Sequence, residues 1–246
     1  MNLVILDAGH AEKVAGKEAP DKSFREWDFN NKMQYKIKSR LEEHGLQVYL
    51  TNPSPAQKDE IGLSKRSNLA NNYWTSKAKP KSIFISLHAN AYGNGFNSAR
   101  GTETYVAENA SSTSKTFAKN LNDEIVKTMK SIDSNAKDRG VKTENFTVIS
   151  KASMPSVLVE YAFYTNEEDL KILKNNQDDL AEATIKAICT YFNVTYKAVQ
   201  KETASSSSTG KQLYAVCIGA YGYDTAKKME AEMKSKGYTS TYLIPR

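Results

Sequence analysis

Cysteine is nearly absent from this chain, with two in 246 residues, which excludes a disulfide framework. Cys189 falls on the stripe Ala181, Ile185, Ile188, Cys189 and Phe192 and reads as a helix core residue. Cys217 lies in the strand-like Leu213-Tyr214-Ala215-Val216-Cys217-Ile218, and neither cysteine has a metal-ligand spacing. Long apolar runs are missing too: none approaches the roughly 20 residues that a helix needs to cross a bilayer, so no membrane insertion is expected. Met1-Asn2 leads straight into a strand, without a basic region and apolar segment, so the expected product is made in the cytoplasm without a signal peptide. Charge of one sign is not concentrated anywhere. The 34 basic and 28 acidic residues leave a formal charge of +6 and a pI near 9.0, a mild field that suits an anionic partner. No basic stripe interleaved with aromatics stands out, so nucleic acid is not the expected partner. What is there is ordinary: 39% hydrophobic and 25% charged residues are enough for a globular core.

Residues 203–210, Thr-Ala-Ser-Ser-Ser-Ser-Thr-Gly, are the one low-complexity stretch and read as a flexible linker. The expected organisation is a main domain over residues 1–195, a linker over 196–210 and a small unit over 211–246. In the main domain, strand and helix patterns alternate, which predicts an α/β fold with a mostly parallel twisted sheet flanked by helices. Phe29, Met33, Ile37 and Leu41 mark the first helix by i+4 spacing, and Gly45 stops it. Residues 46–50, 82–87, 102–106, 146–149 and 157–159 read as strands, 61–73 and 117–129 as helices, and a long helix closes the domain. Residues 90–100, rich in Gly and Asn, read as a loop. The small unit reads strand, helix, strand, with the helix over 224–236. About 36 residues give little core, which leaves this unit either to dock on the main domain or to self-associate as a homo-oligomer.

Three strand-like runs end on side chains that can bind metal or move protons. Val4-Ile5-Leu6 runs into Asp7-Ala8-Gly9-His10, residues 82–87 run into His88-Ala89-Asn90, and Ser156-Val157-Leu158-Val159 runs into Glu160. Ligands of open α/β sheets bind outside the carboxyl ends of the strands, so two histidines and a carboxylate there point to a metal-dependent hydrolase. Taken singly, His10 reads as a polar strand cap and His88 as a satisfied histidine at the sheet edge. Their shared placement, in a chain with only three histidines, turns both towards ligation. The third, His44, sits at a helix C-terminus, where the helix dipole is explanation enough. Glu26 is open between two roles: Ser23-Phe24-Arg25-Glu26 fits a capping box, and the same carboxylate lies near the loop after His10. Glu160 ends an apolar strand and must be paired, metal-bound or neutralised, either with an arginine such as Arg139 or in a catalytic role. Glu168 in Thr165-Asn166-Glu167-Glu168 reads as a structural capping box.

Seven pieces of the chain, in order, resemble the zinc-dependent N-acetylmuramoyl-L-alanine amidases of the type 3 family. They are Asp7-Ala8-Gly9-His10; Arg25-Glu26 with Asn30; residues 63–71 with Arg66, Ala70 and Asn71; Ser86-Leu87-His88-Ala89-Asn90; Gly101-Thr102-Glu103-Thr104-Tyr105; Arg139-Gly140-Val141-Lys142; and Pro155-Ser156-Val157-Leu158-Val159-Glu160. The resemblance spans residues 1–193. It implies one Zn²⁺ per domain held by His10, Glu26 and His88, with Glu160 as catalytic acid/base and Asn90 and Arg139 as substrate contacts. Two departures stand out: Ala11-Glu12-Lys13 replaces a glycine-rich segment, and Asn52 stands where the family has arginine. Residues 211–246 resemble half of a SPOR-type peptidoglycan-binding repeat, through Leu213-Tyr214-Ala215-Val216, Ile218-Gly219-Ala220-Tyr221 and Gly237-Tyr238. A full unit has two halves, which points to pairing of two chains for wall binding.

The expected function is thus a peptidoglycan hydrolase that cleaves between N-acetylmuramic acid and L-alanine, made in the cytoplasm and acting on the wall after release. A phage endolysin is the favoured setting. The rivals are a bacterial autolysin of mother-cell lysis, a non-catalytic peptidoglycan-binding protein on the same scaffold, and a zinc carboxypeptidase or deacetylase.

Overall fold

The computed structural model describes residues 1–53 and 59–199, together with Lys227 and Ala231, both helical. The linker over 203–210, Cys217 and the proposed wall-binding strands lie outside the described residues. Among the described residues up to 199, twelve elements follow in order. They are β1 (Leu3–Ala8), α1 (Glu26–Glu43), β2 (Gln47–Leu50), α2 (Leu63–Ser76), β3 (Ser82–Asn90), β4 (Thr102–Val106), α3 (Ser112–Ile132), β5 (Asp138–Thr143), α4 (Thr147–Ser150), β6 (Ser156–Phe163), α5 (Glu167–Asn175) and α6 (Gln177–Phe192). The strands form one sheet in the order β2-β1-β3-β6-β4-β5. The first four run parallel, β4 is antiparallel to β6, and β5 is parallel to β4. The α/β class and the mostly parallel sheet agree with the alternation in the sequence.

Alternate strand residues point to opposite faces, and both faces are covered. Val4, Leu6, Ile83, Ile85, Leu87, Val157 and Val159 pack with α1, α3, α5 and α6 in the larger core. Leu3, Ile5, Phe84 and Leu158 pack on the other face with Ala70 of α2 and Val148 and Ile149 of α4. The Phe29, Met33, Ile37 and Leu41 stripe of α1 is fully buried in the larger core. At about 1.5–3 kcal/mol for each fully buried side chain, this stripe is what fixes α1 on the sheet. Gly45, at φ +74, takes the left-handed turn that ends α1, and the Leu46 N–H closes back on the Leu41 carbonyl.

Two expectations from the sequence need correction, and one strand was not foreseen. Residues 146–149 form no strand: Thr147–Ser150 is the short helix α4, whose Val148 and Ile149 are buried while Ser67 Oγ donates to the Val148 carbonyl at 3.1 Å. A four-residue apolar run cannot be assigned by period, and here tertiary packing decides. The strand that closes this edge is β5, almost wholly exposed and polar, so it carries no hydrophobic alternation to read. The closing helix is two helices, α5 and α6, divided at Asn176.

Candidate active site

Parallel pairing of β1, β3 and β6 sets three carboxyl ends side by side. Ala8 registers with Leu87, and His88 registers with Glu160. A shift in register between His88 and Asn90 follows at the end of β3. His10 lies just past β1 in the left-handed region, at φ +63, a conformation that costs a non-glycine residue about 1 kcal/mol or more. Asn52, two residues past β2, holds this turn: its Nδ2 donates to the Ala8 carbonyl at 3.0 Å and to the His10 carbonyl at 2.7 Å. The departure from arginine at position 52 thus leaves an amide that braces the His10 backbone.

Glu26 is the first residue of α1, and its side chain does not cap that helix. Arg25 is the N-cap residue and makes no side-chain cap bond, so of the two roles left open for Glu26 the capping box at Ser23 is not formed. Instead Glu26, 3% exposed, points at both histidines: Oε1 is 2.9 Å from His88 Nδ1 and Oε2 is 3.4 Å from His10 Nε2. Asn30, one turn on, donates to the Gly9 carbonyl at 3.1 Å and towards Glu26 Oε1 at 3.4 Å. The Ala89 N–H also reaches Glu26 Oε1, at 3.3 Å. Burial by itself would raise the Glu26 carboxyl, but hydrogen bonds and charge from His10 and His88 outweigh it and hold the group at about 2. The two imidazole rings stand perpendicular, with centroids 5.4 Å apart. One ligand atom from each of His10, Glu26 and His88 lies within 4.8 Å of the others. Two imidazoles and a carboxylate on one side are the donor set of a zinc site that keeps a position open, so the residues present fit that ion.

Gly9 makes this packing feasible. A Cβ at position 9 would lie 2.2 Å from His88 Cε1, so the ring rests directly on the glycine backbone.

Glu160 faces His88 on one side and Glu103 on the other in the strand register. Its Oε2 is buried without a hydrogen-bond partner among the described residues. Burial, reinforced by the charges of Glu26 and Glu103 and only partly opposed by Lys17, pushes this carboxyl well above its ordinary range. The arginine pairing considered for it is not made. Arg139 binds Glu103 instead, through Nε at 2.6 Å.

Glu103 is the group that sequence reasoning missed as a centre. Asn90 Nδ2 and Tyr105 Oη donate to Oε1 at 2.6 and 2.7 Å, while Arg139 and Lys142 both donate to Oε2. Burial would raise Glu103, but Lys142, Arg139 and Tyr105 together hold it at about 2. Asn90 and Arg139 are therefore brought together on one ionised carboxylate beside Glu160. The signal was there in period 2, since Glu103 and Tyr105 share a strand face, but a lone charge in a threonine-rich strand does not announce its partners.

The remaining candidates are structural. His44 Nδ1 lies 2.6 Å from the Arg40 carbonyl, and Nε2 accepts from the Lys197 N–H at 2.9 Å, so both ring nitrogens are used away from the site. Glu168 is exposed and pairs with Lys171. Asn166 rather than Thr165 caps α5, accepting from the Glu168 and Asp169 N–H groups. The loop after Asn90 is pinned by Thr165: its Oγ1 accepts from the Tyr92 N–H at 3.0 Å and its carbonyl from the Asn97 N–H at 2.9 Å.

Residues 4–190 match the protein family described as N-acetylmuramoyl-L-alanine amidase. The chain belongs to that family. It is a peptidoglycan amidase. It is 34% identical over 220 residues to the endolysin of Bacillus phage SPP1, covering 86% of this chain and 75% of that one. It is 25% identical over 249 residues to the sporulation-specific N-acetylmuramoyl-L-alanine amidase of Bacillus subtilis (strain 168), covering 99% and 85%. Among solved structures, the N-acetylmuramoyl-L-alanine amidase of Clostridium difficile 630 superposes with a TM-score of 0.67 at 31% identity, over 78% of this chain and 97% of that one. Among the described residues, no helix of this amidase is long and apolar enough to cross a membrane.

Proposed function

We propose that this amidase is zinc-dependent, that His10, Glu26 and His88 hold the ion, and that Glu160 is its acid/base. The observation that carries the reading is the convergence of three donor atoms from three elements within 4.8 Å, with Glu160 in register with one of them. When bound, zinc would polarise the amide carbonyl and bring the pKa of water down to about 7. Glu160 would accept the proton of the attacking water and deliver it to the departing amine of L-alanine, breaking the bond between the lactyl carbonyl carbon and that nitrogen. The products are a lactyl carboxylate on the muramic acid and a stem peptide with a free amino end. A carboxyl that burial has made more basic suits the proton-accepting half of this cycle.

Asn90 and Arg139 are proposed to border the substrate. Asn90 uses Nδ2 on Glu103 and Oδ1 on the Ala91 N–H, so it shapes the wall of the site. Arg139 commits only Nε to Glu103 among the described residues and retains its terminal nitrogens for the wall polymer.

The setting we favour is phage-type lysis, on the 34% identity to a phage endolysin. The near-complete span shared with the sporulation-specific amidase supports the second setting, a bacterial enzyme of mother-cell lysis. Residues 211–246 are proposed as a wall-binding half-repeat that pairs between chains. Digestion of purified peptidoglycan, with and without a chelator, tests the central reading. Mass spectrometry should find stem peptides beginning at L-alanine, absent after chelation and restored by added zinc. Peptides cut elsewhere, or release unaffected by chelation, would reject it.

A further inference from the structure

We infer that Glu60 is a positioning residue for His10, holding the imidazole through its Nδ1–H while Nε2 faces the metal. The inference rests on the zinc reading above and extends it beyond the three ligands. His10 Nε2 is the nitrogen turned to Glu26, so Nδ1 points away from the donor cluster. Nδ1 is buried and has no hydrogen-bond partner among the described residues. Glu60 Oε1 is the carboxylate atom nearest to hand, 3.5 Å away. That separation exceeds a good hydrogen bond, and such contacts commonly tighten when the site is loaded.

What makes Glu60 more than a passing surface acid is the chain of groups that places it. Asp7, fully buried in β1, accepts from Thr51 Oγ1 and from Ser86 Oγ at 2.8 Å. Arg66, 1% exposed, sets Nη1 3.5 Å from Asp7 Oδ2 and donates Nε to the Ile61 carbonyl at 2.9 Å. Its Nη2 then donates to Glu60 Oε1 at 3.0 Å, the same oxygen that approaches His10. A buried aspartate thus fixes a buried arginine, and the arginine aims a half-exposed glutamate at the ring. Carboxylates behind ligating histidines set the tautomer and raise the basicity of the metal-facing nitrogen. His10 also sits on strained left-handed backbone, so its orientation depends on such outside support. The motif residues Asp7 and Arg66, which touch no substrate in the proposed reaction, acquire a purpose in this arrangement.

The test is zinc affinity of the full chain, measured by competition with a chromophoric chelator, for the parent, Glu60→Ala and Glu60→Gln. Thermal midpoints of the metal-free proteins run alongside. Glu60→Ala should weaken zinc by about 10–100-fold with little change in the metal-free midpoint. Glu60→Gln should recover most of that loss, because its amide oxygen still accepts from Nδ1–H. The visible absorption of the cobalt-substituted protein should shift in the alanine variant and return towards the parent in the glutamine variant. An alanine variant within twofold of the parent would overturn the inference and leave the zinc reading standing. So would an alanine loss that glutamine does not relieve. A parent chain that takes up no zinc would overturn both.

Discussion

Replacing Gly9 by alanine adds one methyl group and tests whether the His88 ring is held against bare backbone. The added Cβ would lie 2.2 Å from Cε1, 2.5 Å from Nδ1 and 2.6 Å from Nε2 of His88. Gly9 is not among the positive-φ glycines, so alanine meets no backbone penalty and the conflict is purely with the ring. Reaching even the tightest tolerable contact of 3.0 Å moves the ring by about 0.8 Å, several times the roughly ±0.2 Å that zinc-ligand distances allow. His88 then has to leave its rotamer or let its bond to Glu26 go, each at about 1 kcal/mol or more. Either alone predicts about a fivefold loss of zinc affinity and both together about a 30-fold loss, about 2 kcal/mol, with peptidoglycan release falling to match. The assay is chelator competition at fixed pH, with Gly95→Ala as control, since an added Cβ there meets nothing within 4 Å and its φ is not positive. Zinc binding by Gly9→Ala within threefold of the parent would refute the claim that this glycine sets the ring.

Two further perturbations separate chemistry from support. Glu160→Gln keeps the size of the side chain and removes the proton acceptor, so zinc affinity should stay within a fewfold while turnover falls by about 10²–10⁴, read as stem-peptide release; full activity would remove Glu160 from the reaction. Glu103→Gln should cost about 1–3 kcal/mol at pH 7, because Arg139 and Lys142 lose a buried carboxylate while staying partly open to water. The folded Glu103 carboxyl is held at about 2 against an ordinary 4.5, so the unfolded chain binds the extra proton between those values. Its contribution is therefore complete above about pH 4.5 and fades as pH falls through about 2. Urea melts of parent and variant should converge over that interval, and a constant gap would show that charge is not what Glu103 supplies.

What was legible in the sequence follows from how local each signal is. The α1 stripe and the strand runs that lead to His10, His88 and Glu160 are written in consecutive residues, and the folded chain forms them as α1, β1, β3 and β6, with β6 running on past Glu160 to Phe163. Glu26 was undecidable locally because a capping box and a site carboxylate share the same spacing; only the 62-residue separation closed by its contact with His88 decides between them. β5 went unread and α4 was read as a strand because one is a polar edge and the other a four-residue apolar run, so neither carries a usable period. Glu103, Asn52 and Glu60 were invisible as supports for a deeper reason. Each acts through partners on other elements: Glu103 on Asn90 and Arg139, Asn52 on the His10 carbonyl, Glu60 on Arg66. A ligand can be recognised by its own chemistry, since few side chains bind zinc. A support is recognised only by what it touches, and contact belongs to the fold. The site residues of this amidase therefore surface in sequence before the residues that aim them, although mutation of either kind should be felt at the proposed zinc site.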